Sequence, residues 1–516
     1  MTDIEMNPQF ERALSLLKNQ HKSLFITGKA GTGKSTLLEY FCKQSSTEPV
    51  ILAPTGVAAL NVRGQTIHRF FNFYVDVTPE KIREKKIKPR SSKIYKALKT
   101  IIIDEISMVR ADLLDCIDVF LRMYGPDKEQ AFGGVQMVFV GDLYQLPPVL
   151  SREESQVFQT FYKSPYFFSA RVFESISIEL LELEKVYRQK DQEFVTLLNR
   201  IRNNSMERED IVKLNSRFDP EFKPNTNDFF IHLTTTNKKA DEINDRHTKS
   251  LTSRMHCFKA EITGDFGKEY YPSAPYLDIK LGSQVMLLNN DARRRYVNGS
   301  MGIVESIKTI DGEDNLGVRL KDNDRLVYVT RFTWEVVRFK VEGDEIKSES
   351  VGTFTQFPVR LAWAVTIHKS QGKTFENVIL DVGNGAFAPG QIYVGLSRCT
   401  SFEGIVLSTP IHRHHIHTDS RIIKFLTSFQ YQKSAEHCSN EEKIALLNEA
   451  IAENVSVEMI YLKVNDTKLK RVIKPLKVGK ESYRGKLFPA LRAWCDENSQ
   501  EQIFHVGRIL ELSKTR

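Results

Sequence analysis

Along the first third of the chain, short runs of consecutive apolar residues alternate with helix-length stretches of mixed character. The runs at residues 23–28, 49–54, 100–105 and 136–142 each end at small or acidic residues. That pattern predicts a parallel α/β sheet covered on both faces. A second set, at 177–183, 229–237, 377–383 and 404–408, predicts a second α/β domain. Between residues 251 and about 356 the texture changes to two-residue alternation, with Val337, Phe339 and Val341 separated by Arg338 and Lys340 and turns at Asp311-Gly312 and Gly343-Asp344. A small β-barrel inserted into the second domain is expected. After Ser434, a helical stretch at 441–454 precedes several short strands and predicts a separate C-terminal unit.

A chain of 516 residues exceeds what one hydrophobic core organises, so several domains are expected. Its 41% hydrophobic and 27% charged content excludes wholesale disorder. Six scattered cysteines, with no CxxC pair, indicate neither a disulfide framework nor a zinc ribbon. The N-terminal stretch is acidic and amphipathic, and no apolar run is long enough to span a bilayer, so a cytosolic protein without a membrane partner is expected. The net charge of +8 matters less than its distribution. Residues 463–492 hold ten basic and two acidic side chains, and residues 81–99 hold nine and one. Clustered cations of this kind suit a polyanion.

Gly28-Lys29-Ala30-Gly31-Thr32-Gly33-Lys34-Ser35 fits the GxxxxGK[ST] phosphate loop, set between an apolar strand and a helix that begins near Thr36. Its backbone N–H groups would face phosphate oxygens, Lys34 would neutralise the β and γ phosphates of ATP, and Ser35 would hold Mg²⁺. The strand Ile101-Ile102-Ile103 runs into Asp104, which would join the metal's coordination shell, and Glu105, which would orient and deprotonate the attacking water. Hydrolysis also needs cations on the γ-phosphate side, and Arg188 and Arg398 are candidates delivered from the second α/β domain.

The remaining motifs narrow the class. Ala53-Pro54-Thr55-Gly56-Val57-Ala58 with Gly64-Gln65-Thr66-Ile67-His68 resembles motif Ia of superfamily-one group B helicases. Gly141-Asp142-Leu143-Tyr144-Gln145 resembles motif III, Val365-Thr366-Ile367-His368-Lys369-Ser370-Gln371-Gly372 motif V, and Tyr393-Val394-Gly395-Leu396-Ser397-Arg398 motif VI. With Ser107-Met108-Val109, Leu113-Leu114-Asp115 and Phe132-Gly133-Gly134 between motifs II and III, the chain resembles the Pif-family helicases over residues 8–410.

That resemblance implies two RecA-like domains, at 1–175 and at 176–250 with 353–430, the second interrupted by an SH3-like barrel at 251–352. It also implies an ATP- and Mg²⁺-dependent motor, monomeric, that moves 5′ to 3′ on single-stranded DNA and opens single-strand/duplex junctions in replication, repair, recombination or telomere and quadruplex maintenance. A bacterial-type, nucleoid-associated protein would fit. Thr55, His68, Thr366, His368 and Lys369 would grip the strand by its backbone, since reading base edges would stop a translocating motor. Gln145 would couple the nucleotide to the strand, and Gly372 would face the nucleotide. Gln9 or Gln20, with Gln9 preferred, would recognise adenine. The insertion at 71–99, led by Phe71, Phe73 and Tyr74, occupies the place of a strand-separating wedge. His412, His414, His415 and His417 read as a polar loop, because adjacent imidazoles do not converge on one ion.

Residues 441–516 resemble a WYL domain in Val457-Glu458-Met459-Ile460-Tyr461, Lys470-Arg471-Val472-Ile473-Lys474-Pro475 and Phe504-His505-Val506-Gly507-Arg508-Ile509. The naming Trp-Tyr-Leu tripeptide is absent. Its basic strip, with Tyr461, Tyr483, Phe488 and Trp494, suits single-stranded nucleic acid.

Overall fold

The computed structural model describes residues 6–515 except 19–21, 46–47, 75, 151, 190, 226–227, 311, 343–344, 384–387, 484 and 496–499. The chain divides into two compact units: Met1–Asn199 with Met206–His417, and Arg200–Ser205 with Thr418–Arg516.

In the first unit, six strands form one parallel sheet: β1 (Ser23–Gly28), β2 (Val50–Ala53), β3 (Gln65–Thr66), β4 (Thr100–Ile103), β5 (Gln136–Val140) and β6 (Ile178–Leu183). Their order is β3-β2-β4-β5-β1-β6. β4 and β5 are buried along their whole length, as continuous apolar runs require when both faces are covered. The helix Pro8–Lys18 closes one face, placing Phe10, Leu14 and Leu17 against Leu24, Ile26 and Leu37. Because all six strands run the same way, the loops after β1, β2, β3, β4, β5 and β6 emerge along one edge, and that edge holds the phosphate loop and the motifs at 53–68, 104–105 and 141–145.

β6 corrects the expected boundary at 175. The run at 177–183 is expected in the second α/β domain, but Ser23 pairs with Ile178 and Gly28 with Leu183, so the first sheet extends to Leu183. Adjacency to β1 is a long-range pairing that the apolar run does not disclose.

A second parallel sheet contains Ala364–Thr366, Ile231–Thr234, Val378–Asp381 and Ile405–Leu407 in that spatial order. Between its strands lies an all-antiparallel insert. Five strands, from Leu326–Val329 through Glu313–Leu320, Met301–Ile310 and Gln284–Leu287 to Val359–Leu361, enclose Val285, Val304, Leu316, Val318 and Phe357. The insert therefore ends beyond the expected 352, since Val359 pairs with Leu287. Alternation along Phe332–Glu342 changes phase at a bulge between Val336 and Val337. Trp334 and Val336 are buried before it and Phe339 after it, and the extra residue is Val351 of the partner strand, between Ser350 and Gly352. Gly343 and Asp344 lie outside the described residues.

The second unit begins earlier than expected, at Thr418. Helices Ser420–His437 and Asn440–Ala452 accompany a five-stranded antiparallel sheet whose longest strand, Lys468–Tyr483, has 16 residues rather than the short span anticipated. Val457, Met459, Ile473, Leu491, Phe504 and Ile509 form its core with Leu447. Arg202 and Asp466, 4.0 Å apart and almost fully buried, form an ion pair within this unit. No helix among the described residues is long and apolar enough to cross a membrane.

Candidate nucleotide site and nucleic-acid interface

The phosphate loop leaves β1 and enters the helix Lys34–Gln44 through Gly33, whose φ of 83° is left-handed. Gly31 is left-handed too, and a Cβ there would lie 2.5 Å from Arg188 Cβ, so only glycine allows the loop and residue 188 to approach. Lys34 Nζ donates to Gly28 O at 2.8 Å and Lys29 O at 3.0 Å, which arches the lysine over the loop. The Thr32 hydroxyl donates to Lys29 O at 3.0 Å. Ser35 and Thr36 stand exposed in the first helical turn, while Ala30 is buried. Anions are favoured there by the helix terminus.

Asp104 and Glu105 follow β4. Asp104 Oδ1 accepts the Glu105 N–H at 2.9 Å, and Glu105 itself has a left-handed φ of 51°. Burial pushes Glu105 up to about 7, with Asp104 adding to the rise and Lys34 and Arg398 opposing it. Burial also raises Asp104. A buried carboxyl poised near neutrality suits proton transfer.

Arg398 is 1% exposed, held by Val394 O at 2.9 Å, Ser397 Oγ at 2.9 Å and Lys373 O at 3.4 Å. Burial first and neighbouring Arg188 second pull it down to about 9, which leaves it a cation at neutral pH. Arg188 donates to Ser397 O at 3.2 Å and is lowered by burial. The two arginines thus lie together, with Glu105 and Asp142 acting on Arg398. Arg188 does not come from the second sheet, however. It follows β6, and Tyr187 N donates to Gly31 O at 2.9 Å, so Arg188 belongs to the crossing between the sheets beside the phosphate loop.

Tyr393, Asp142 and Gln371, to which the motifs alone assign no role, complete the site. Tyr393, on the helix Gln391–Leu396, accepts the Ala30 N–H at 3.1 Å and donates to Asp142 Oδ2 at 3.2 Å. Gly390 caps that helix with a φ of 76°, and a Cβ there would meet Tyr144 O at 2.4 Å. Gln145 Nε2 donates to Asp142 Oδ2 at 3.3 Å. Gln371 Nε2 donates to both Gln145 Oε1 and Glu105 Oε2, each at 3.0 Å. Their motif positions were a signal for all three, but the bonds cross between two sheets and cannot be read from spacing. Gly372 follows with φ 79° and open space around its Cα.

Gln9 is bonded to Glu184. Its Oε1 accepts Glu184 N–H at 2.9 Å and its Nε2 donates to Glu184 Oε2 at 3.2 Å, while Phe10 packs 3.1 Å from where a Gly33 Cβ would stand. Gln20 lies outside the described residues.

The strand-binding candidates fall into two groups, one per sheet. Thr55 and His68 follow the adjacent strands β2 and β3, while Thr366 ends the edge strand of the second sheet and His368 and Lys369 follow it. Thr55 Oγ1 accepts Ala58 N–H at 3.3 Å and Thr366 Oγ1 accepts Lys369 N–H at 3.3 Å, so both hydroxyls cap a turn and keep a proton to donate. Burial lowers His68, helped by Arg110, and lowers His368 and Lys369 as well. His68 and His368 are half-buried and Lys369 is exposed.

The wedge reading is corrected for two of its aromatics. Phe71 and Phe73 are buried, stacking on each other at 5.2 Å and meeting Phe120, and only Tyr74 is exposed, at 64%. In the histidine loop the His412 N–H donates to His415 Nδ1 at 3.2 Å, and no group of side chains able to hold a metal occurs among the described residues.

The PIF1-like helicase family model matches residues 7–211. The ATP-dependent DNA helicase Pif1 of Campylobacter jejuni subsp. jejuni is 30% identical over 402 residues, covering 74% of this chain and 87% of that protein. The chain belongs to the Pif1-like helicase family. The crystal structure of Bacteroides sp Pif1 in complex with ADP-AlF4 is similar with a TM-score of 0.77 at 34% identity, over 83% of this chain and 98% of that one. Bacteroides Pif1 bound to ssDNA gives a TM-score of 0.60 at 35% identity, over 84% and 98%. The Pif1-like assignment accounts for the α/β architecture and for the order of the motifs along the chain.

Proposed function

We propose that this chain, an ATP-dependent DNA helicase of the Pif1 family, travels 5′ to 3′ on single-stranded DNA and opens duplexes at junctions by closing its two α/β sheets around Mg-ATP. The observation that carries the reading is the unbroken hydrogen-bond chain from Ala30 through Tyr393, Asp142, Gln145 and Gln371 to Glu105. It joins the phosphate loop to the turn that bears the strand-binding candidates. Lys34 meets the β and γ phosphates, Glu105 positions and deprotonates water, and Arg188 and Arg398 offset charge developing on the transferred phosphoryl group. Gln9 reads adenine, and the inserted β unit is SH3-like. Asp104 and Ser35 would hold magnesium. One carboxylate, a hydroxyl and phosphate oxygens suit an ion that keeps several waters, and the metal would screen phosphate charge.

Partial duplexes with a 5′ or a 3′ single-stranded tail test the direction. Only the 5′-tailed substrate should unwind, and Lys34→Ala should abolish unwinding while retaining DNA binding. Equal unwinding of both tails would defeat the directional reading.

The second unit reads as a WYL-like module that adds a single-strand contact. Cross-strand rows Lys474, Trp494, Glu501 and Lys477, Arg492, Ile503 share the face opposite its core. Trp494 is 39% exposed, and Phe488 stacks on His505 at 4.7 Å. Tyr461 drops out, because it is buried against Phe504, and the Tyr483 side chain lies outside the described ones. Arg492 is paired with Glu481 and Lys470 with Glu458, whereas Lys474, Lys477 and Lys480 pair with no carboxylate among the described residues. Lys474→Glu with Lys477→Glu should therefore weaken single-strand binding and flatten its log–log salt dependence by roughly 1.4, from two phosphate contacts. An unaltered slope would make the strip a solvated face.

A further inference from the structure

One nitrogen joins the two sheets at the reacting end of the site. Gln371 Nε2 gives one hydrogen to Glu105 Oε2 and one to Gln145 Oε1, both at 3.0 Å. Glu105 and Gln145 follow strands of the first sheet, and Gln371 follows a strand of the second. Gln145 then turns its own amide to Asp142. If Gln371 is displaced, Glu105 and Gln145 each lose a donor at once.

The backbone around Gln371 is wound onto the residues that face the strand. Gln371 N donates to His368 O at 3.2 Å, Ser370 N to Thr366 O at 3.0 Å, and Lys373 N to Ser370 O at 2.9 Å. Lys369 N caps on Thr366 Oγ1, and Ser370 Oγ donates to Ile367 O at 2.7 Å. Ser370 is fully buried beneath this turn. A turn closed by so many internal bonds moves as one piece, so a force on Thr366, His368 or Lys369 displaces the Gln371 amide. Lys34, Asp104, Asp142 and Arg398 also act electrostatically on Glu105, and none of them belongs to this turn.

We propose that Gln371 is a positioning residue that makes the alignment of Glu105 and Gln145 depend on DNA held by the turn 366–373. The proposal rests on the nucleotide-site reading above. Gln371 touches neither phosphate nor strand in this scheme. It sets the geometry of the two side chains that do the coupling and the water activation, and it does so only while the turn is seated.

Thermodynamic linkage gives a test that does not depend on turnover, because DNA must change nucleotide affinity by the same factor as nucleotide changes DNA affinity. Binding of a non-hydrolysable ATP analogue and of an oligothymidine is measured for the full chain, each alone and each with the other saturating. Gln371→Ala and the isosteric Gln371→Glu, which keeps the volume but replaces the donor with an acceptor, are compared with wild type. The expected result is a coupling factor reduced by about fivefold or more in both variants, in both directions. DNA-stimulated ATPase falls more than the basal rate. Each ligand alone binds within about twofold of wild type, whereas a merely structural role would weaken the separate affinities together. Full coupling in a folded Gln371→Glu protein would overturn the proposal even if Gln371→Ala unfolds. Glu105→Gln is the control for the underlying reading: wild-type turnover in that variant would remove the carboxylate assignment, whatever Gln371 does.

Discussion

The Tyr393 phenol oxygen accepts the Ala30 backbone N–H at 3.1 Å and donates to Asp142 at 3.2 Å, so one side chain of the second sheet rests on the phosphate loop and on the end of β5. Tyr393→Phe leaves a buried amide and a buried carboxylate each without that partner, at a cost of roughly 1–3 kcal/mol. The expected outcome is a fall in kcat of about tenfold with the DNA-free fold retained. Steady-state ATPase together with a melting curve checks it, and an unchanged kcat would make Tyr393 a packing residue.

The two arginines separate by burial. Arg398 is enclosed and donates to Val394 O, Ser397 Oγ and Lys373 O, while Arg188 is half-buried and donates to Ser397 O. Arg188→Ala should lower kcat by about 100-fold at an almost unchanged melting temperature. Arg398→Ala should lower both, because it also leaves carbonyls unpaired. If Arg188→Ala turns over normally, that arginine has no part in the chemistry.

In the 71–99 insertion, packing decides which aromatic can meet DNA. Phe71 is 0% exposed and Tyr74 64%. Phe71→Ala should destabilise the chain by about 3–5 kcal/mol. Tyr74→Ala should leave stability alone and reduce unwinding of a forked duplex relative to ATPase. Loss of stability in both would place Tyr74 in the core instead.

His232, on the strand Ile231–Thr234, is pulled from its usual 6.5 down to about 4, chiefly by burial and then by His247, with Lys239 and Arg246 adding and Asp381 opposing. Between those values the unfolded chain binds a proton that the folded chain rejects. Its contribution is therefore intact above pH 6.5 and is lost as pH falls toward 4. His232→Gln should show a shallower drop in melting temperature across that window. A parallel drop in both proteins would assign the acid sensitivity to other groups.

The phosphate loop, the acidic strand end and the order of motifs were legible in the sequence because each is a local pattern: a glycine-rich turn between strand and helix, or an apolar run closing on carboxylates. Ile101, Ile102 and Ile103 announce a buried strand without help from the rest of the chain. The pairing of β6 with β1, the extension of the insert to Leu361, and the placing of Arg188 beside Gly31 were decided by tertiary structure. So was the division of labour among aromatics, with Phe71, Phe73 and Tyr461 inside and Tyr74 and Trp494 outside. An aromatic beside basic residues reads the same in sequence whether it faces solvent or a core. Gln371 shows the limit most clearly: its partners lie 266 and 226 residues away, and its two hydrogen bonds join residues that follow strands of two different sheets. Periodicity and turn chemistry act over a few residues. Contacts between sheets depend on strand order, which only burial of the whole chain selects.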